Sequence, residues 1–231
     1  MIDRVLEPEV MGSPEEARAY DTMDHAAVNT QFVRDLVETG YPIGGSVLDV
    51  GTGTARIPIM LCREIADVAV VGIDLSEQML LLANVNIKEA GFSSRIQAAN
   101  QDAKQLPFDD QQFDLVISNS IAHHIPRPAQ VLAEAVRVTR DGGFLFWRDL
   151  VRPESDERLC SLVQLYAGDE NDQQQRLFSE SLRAALNLEE IRAMVEKLGF
   201  DSATVCLTSD RHWTWSARKA SGTPGDRIDQ G

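Results

Sequence analysis

Two glycines and two aspartates carry the first chemistry that the sequence offers. Gly51-Thr52-Gly53 makes a tight turn directly after the apolar run "SVLDV", and Asp49 stands inside that run, just before the turn. Glycines placed this way let a ligand approach the backbone closely. Asp74 closes a second apolar run, "VVGID", about twenty residues on, where a ribose-binding acid belongs. A dinucleotide turn needs a third glycine for close helix–strand packing, and here that position is Arg56. A phosphate-cradling loop needs Gly-Lys-Ser/Thr, which is missing. Asp49 would repel a pyrophosphate but suits a cationic group. These residues point to a ligand with a ribose and a cation but no pyrophosphate, and S-adenosylmethionine has those parts.

A second group could act on a substrate. His123 and His124 follow the apolar run "FDLVISN", and Arg148-Asp149 close "GGFLFWRDL". A histidine is a general base when it reaches the proton to be removed, so geometry decides before pKa does. Paired histidines could equally pack or cap the loop. The expectation for Arg148 and Asp149 is that both face the substrate, because open α/β sheets bind ligands at the carboxyl ends of their strands. The competing reading is a buried structural ion pair. His212 sits in "RHWTW", where Trp213 and Trp215 alternate onto one face, the pattern of sheet packing.

These residues need strands to end on and helices to space them. Short apolar strands at 46–50, 68–74, 95–100, 113–119 and 142–150 alternate with helical stretches at 54–66, 76–90 and 128–139. That alternation predicts a parallel sheet covered on both faces. Before it, residues 14–39 read as a helix with Val28, Phe32, Val33, Leu36 and Val37 in a stripe. After it come two helical stretches over 155–186 around the polar "GDENDQQQ", then a helix over 188–198. "FDSATVCLT" and "RHWTWSARK" then read as a strand pair at the sheet edge.

Composition sets outer limits. The chain has 231 residues, 43% of them hydrophobic, enough for one large α/β domain. Its formal charge of −14 disfavours a nucleic-acid partner and an anionic membrane surface. No apolar run approaches the roughly 20 residues that span a bilayer, and the acidic start does not read as a signal peptide. Cys62, Cys160 and Cys206 are odd in number and far apart, so reduced thiols in a cytoplasmic protein are expected. No His, Cys, Asp or Glu set has metal-ligand spacing, since His123 and His124 are sequence neighbours, so no metal is expected.

Four blocks in register resemble the class I S-adenosylmethionine-dependent methyltransferases: "VLDVGTGTA", "VVGIDLSEQML", "QDAKQLPFDDQQFDLVISNSIAHHI" and "EAVRVTRDGGFLFWRDL". The likeness covers about Tyr20 to Leu150 and is nearest the small-molecule, ubiquinone/menaquinone-type branch. It implies a Rossmann-like α/β fold, a seven-stranded mostly parallel sheet with an antiparallel edge hairpin and helices on both faces. It implies S-adenosyl-L-methionine as cofactor and a small-molecule acceptor. By the same resemblance Gly51, Thr52 and Gly53 approach the methionine tail and Asp49 orients its ammonium. Asp74 takes the ribose, and Leu75 and Met79 pack near the adenine. Asp102 accepts from the adenine amino group, Ala103 lies beside the ring, Asn119 and Ser120 line the site, and Tyr20 covers it. The domain expected is 1–218, with residues 14–40 as an N-terminal lid, 151–187 as a substrate cap and 219–231 as a tail. "NSIA" departs from the signature of enzymes that methylate planar amino groups. A cofactor-binding protein without catalysis, or an NAD-dependent oxidoreductase, are the alternatives.

Overall fold

Strand β1 (Gly45–Val50) is buried on both faces: Val47 points to one layer of helices, Leu48 and Val50 to the other. Its neighbours are β2 (Val68–Asp74), β3 (Ile96–Asn100), β4 (Phe113–Asn119), β5 (Thr139–Leu150), β6 (Val205–Leu207) and β7 (His212–Arg218). The computed structural model describes residues 2–7 and 26–221. Its sheet has seven strands in the order β3-β2-β1-β4-β5-β7-β6. The first five strands are parallel, and β7 runs antiparallel between β5 and β6. The chain builds outward from β1 to β3 and then returns to β4 on the other side of β1. That reversal opens a crevice at the carboxyl ends of β1 and β4, where α/β sheets take ligands.

One face is covered by α1 (Ala26–Glu38), α2 (Arg56–Glu64) and α3 (Glu77–Glu89), which bring Phe32, Leu36, Leu61 and Ile87 onto Val47, Val70, Ile117 and Phe146. The other is covered by α4 (Pro128–Val138) and α7 (Leu188–Lys197), with Val131, Leu132, Ile191 and Val195 against Leu48, Leu145, Trp147, Trp213 and Trp215. Trp213 and Trp215 therefore belong to the core, as their alternation predicted. Helices α5 (Asp156–Ala167) and α6 (Asp172–Ala184) form a separate small core around Leu150, Leu159, Leu162 and Leu182. Ser155 caps α5, and Asn171 with Gln174 forms a capping box on α6, so "DQQQ" opens a helix instead of breaking one.

Other boundaries shift for local reasons. Helix α2 begins at Arg56, because Ala55 sits in the left-handed region at φ 62°. The strand expected in "FDSATVCLT" shrinks to β6, since Asp201 caps a 3₁₀ turn over Ser202–Thr204. The lid helix is described from Ala26 onward; residues 14–25, Tyr20 among them, and the tail 222–231 lie outside the described residues. Of the free thiols, Cys62 is buried, whereas Cys160 and Cys206 are exposed. Among the described residues, no helix is long and apolar enough to cross a membrane.

Candidate active site

The glycine turn needs its glycines. Gly51 has φ +77°, and a Cβ there would fall 2.0 Å from Ile121 Cγ2, in the loop after β4. Gly53 has φ +53° and faces open space. The turn is locked to β2: the N–H groups of Gly51 and Thr52 donate to the Ile73 carbonyl, and Gly53 N–H donates to Asp74 Oδ2 at 2.9 Å. The other Asp74 oxygen accepts from Ser76 N–H at 2.8 Å. Burial lifts the Asp74 pKa, and these backbone donors oppose the lift without cancelling it.

A cavity of about 580 Å³ opens beside this turn. Asp49, Gly51, Thr52, Gly53 and Asn119 line it. Asn119 Oδ1 is buried with no hydrogen-bond partner among the described residues, so the cavity holds an acceptor that is still to be satisfied. Burial lifts the carboxyl of Asp49 to about 7, helped by the nearby charge of Asp74. Asn29 and Thr30 from α1 and Arg56 from α2 also line the cavity. Sequence reasoning missed Asn29 and Thr30, because a cavity wall formed by a lid helix leaves no motif, and it read Arg56 only as the residue in place of a third glycine. Asp74 borders the cavity through Gly53. Leu75 is exposed at the tip of β2, Met79 is buried at the start of α3, and Asp102 accepts from Lys104 N–H at 2.9 Å in the turn after β3. Ala103 packs on the core, and Ser120 takes φ 62° at the tip of β4. None of these last five residues lines the cavity.

On the far side of the β4 tip the histidines gain partners. His123 Nδ1 lies 2.5 Å from Asp149 Oδ1, both groups buried. Asp149 also accepts from the backbone N–H groups of Ala122, His123 and Leu150. A carboxylate so loaded fixes the proton on Nδ1 and turns Nε2 outward. Burial pushes the His123 pKa down, but the charge and hydrogen bond of Asp149 and the charge of Glu7 outweigh it, so the net shift is upward. In Asp149, burial pushes up, while His123 pulls the pKa below its usual range.

Glu7 completes the group. Its Oε1 stands 3.5 Å from His123 Nε2 and 3.1 Å from His124 Nδ1, and its oxygens accept from Ser181 Oγ. The contact with His124 is close but poorly aligned as a hydrogen bond. Glu7, His123 and His124 thus bring three potential ligand atoms within 4.8 Å of one another, a grouping that sequence spacing did not disclose. Asp149 on Nδ1 and Ser181 on Glu7 tie the group together by hydrogen bonds.

The expectation for Arg148 is corrected. Successive strand residues face opposite sides of a sheet, so Arg148 and Asp149 part. Asp149 turns to the histidines, while Arg148 turns beneath α1. There Arg148, 4% exposed, donates to Asp35 at 2.5 Å and to Thr214 at 2.9 Å, and lies over the Phe32 ring. It holds the helix whose start lines the cavity. Asp149 is likewise buried, with its carboxylate against His123 Nδ1. Arg148→Met should lower stability by about 2–3 kcal/mol, less than a fully buried pair because Asp35 is partly exposed. That is about 5–10 °C in Tm, with ligand parameters falling together. A melting curve that does not move would contradict this.

Comparison with known proteins agrees with the geometry. The methyltransferase domain family matches residues 48–147. The chain is 30% identical over 183 residues to 27-O-demethylrifamycin SV methyltransferase of Amycolatopsis mediterranei, covering 78% of this chain and 63% of that protein. It is 28% identical over 142 residues to a demethylmenaquinone methyltransferase of Bacteroides fragilis, covering 60% of this chain and 58% of that one. The chain thus spans about six tenths of the length of these curated relatives. A crystal structure of a SAM-dependent methyltransferase from Aquifex aeolicus superposes with a TM-score of 0.68 at 19% identity, covering 89% of this chain and 98% of that one.

Proposed function

Because this chain belongs to the class I S-adenosylmethionine-dependent methyltransferases, in the ubiquinone/menaquinone-like small-molecule branch, we propose that it methylates a small-molecule acceptor with His123 as general base. The observation that carries this is the buried Asp149–His123 pair beside Asn119 and Ser120 at the tip of β4. We read residues 1–218 as one methyltransferase domain in the cytoplasm, with α1 over the cofactor, α5 and α6 within 151–187 over the acceptor, and 219–231 as a tail.

The cavity takes the methionine end of the cofactor, and the adenine end lies outside it, toward the tips of β2 and β3. Asp49 meets its ammonium, the Gly51–Gly53 backbone its methionine chain, and Arg56 its carboxylate. Asp74 takes the ribose hydroxyls, with Leu75, Met79, Asp102 and Ala103 around the adenine. Asn119 and Ser120 separate cofactor from acceptor. When bound, S-adenosylmethionine supplies a methyl group already activated on a sulfonium. The protein's part is then alignment, exclusion of water and removal of one proton. The acceptor's O–H or N–H proton passes to His123 Nε2, and Asp149 holds the ring and stabilises the resulting imidazolium. An acceptor screen with isotope-labelled methyl donor, read by mass spectrometry, tests the proposal.

Asp49 gives a pH signature. Its carboxyl is largely neutral below about 7 in the free protein, whereas an ammonium group binds the carboxylate. Affinity for S-adenosylmethionine should therefore rise with pH up to about 7 and level off above it, with a proton released on binding at lower pH. Calorimetry in buffers of different ionisation enthalpy measures that proton; none released at pH 6 would contradict the assignment. Turnover should need no metal, since a base and an activated methyl suffice. Exhaustive chelation should leave the rate unchanged; loss of activity restored by a divalent ion would overturn this.

A further inference from the structure

We propose that Glu7 gates the acceptor site: its carboxylate stands at the one edge of His123 from which an acceptor's proton can be taken, so Glu7 must withdraw before an acceptor binds. This rests on His123 being the base. An imidazole nitrogen has a single lone-pair direction in the ring plane. Nδ1 is committed to Asp149 at 2.5 Å, which leaves Nε2. Glu7 Oε1 stands 3.5 Å from Nε2, too close for the heavy atom of an acceptor to fit between them. Glu7 and an acceptor hydroxyl or amine are therefore alternatives.

The short N-terminal strap that delivers Glu7 is held independently of the histidine side chains. Arg4 donates to the carbonyls of Ala184, Ala122, His123 and Ile125, tying α6 to the 3₁₀ turn over Ala122–His124. Val5 N–H donates to the Arg183 carbonyl, and Ile2 packs on the α5–α6 core. With the strap so anchored, rotation of the Glu7 side chain is enough to clear Nε2. What restrains that rotation is the Ser181 hydroxyl and the two imidazoles.

Among the described residues, the titratable and charged groups facing His123 are Asp149 from β5, Glu7 and Arg4 from the strap, and His124 from its own turn. Asp149 and Glu7 favour the imidazolium; Arg4 opposes it. Glu7 thus adds to the groups that favour the imidazolium, and a protonated base takes no proton. Withdrawal of Glu7 does two things: it clears Nε2 and makes the ring easier to deprotonate. Glu7 is in this sense a positioning residue that keeps the base idle until an acceptor displaces it.

The test needs no acceptor. Full-length protein with labelled histidine, saturated with S-adenosylhomocysteine, is titrated by NMR as wild type and as Glu7→Gln. The His123 resonance should titrate at lower pH in the variant, by roughly one unit. Diethyl pyrocarbonate, which needs an accessible neutral imidazole nitrogen, is the second probe. At neutral pH its modification of His123, read by peptide mass spectrometry, should speed up several-fold in Glu7→Ala while that of His212 stays the same. Ser181→Ala, which removes a restraint on Glu7 but no charge, should speed it too. Unchanged titration and unchanged modification in folded variants overturn the gate. The underlying base assignment has its own test: if His123→Asn keeps full turnover while both probes respond, that assignment fails and Glu7 remains a cover over His123. If His123→Asn loses turnover while neither probe responds, the gate alone is wrong.

Discussion

Asp74→Ala should weaken S-adenosylmethionine binding by about 2–4 kcal/mol, because ribose hydroxyls lose charge-assisted partners and are left unsatisfied. That corresponds to roughly 30- to 1,000-fold in Kd. The structure adds a second reason for a large effect. Both Asp74 oxygens already hold backbone donors, Gly53 N–H from the glycine turn and Ser76 N–H from the cap of α3. Truncation therefore removes the ribose contact and loosens the turn that meets the methionine chain. Asp74→Asn keeps an acceptor for one of these donors and should fall between. Calorimetry showing wild-type affinity for Asp74→Ala would remove Asp74 from the site.

His123→Ala should lower kcat by about 10²–10⁴-fold while leaving cofactor affinity nearly unchanged, since the cavity wall does not include His123. Asp149→Asn should cost nearly as much. An amide in that place donates to Nδ1, moves the ring proton to Nε2 and so blocks the position that must accept. The wild-type rate should climb with pH through a value above the ordinary histidine range, because Asp149 and Glu7 together outweigh burial. A His123→Ala protein that turns over at the wild-type rate, with its fold intact, would end the general-base reading.

Much of this was legible in the sequence, because strands fully buried on both faces and helices with apolar stripes leave periodic patterns. The run "SVLDVGTG" contained the turn and Asp49 together, and the cavity brings both to one place. The two histidines and Asp149 were singled out separately, but their pairing required knowing that β4 and β5 lie side by side. The error over Arg148 came from reading two adjacent residues as one charged patch. Strand alternation already sends them to opposite faces, with Phe144 and Phe146 on the Arg148 side and Leu145 and Trp147 on the Asp149 side. Glu7 had no signal of its own. A short strap without periodicity meets the histidines only through the tertiary fold, across more than a hundred residues of chain. Asp35, the partner of Arg148, was hidden for the same reason: it looked like one polar position on an amphipathic helix.

The measurement that bears most directly on the central claim is transfer of an isotope-labelled methyl group from S-adenosylmethionine into a pool of small metabolites, with wild type and Asp74→Ala in parallel. The account predicts a labelled product with wild type that is lost with the variant. Tight binding of S-adenosylmethionine, confirmed by calorimetry, with no labelled product across the pool would contradict it and leave a protein that binds the cofactor without using it.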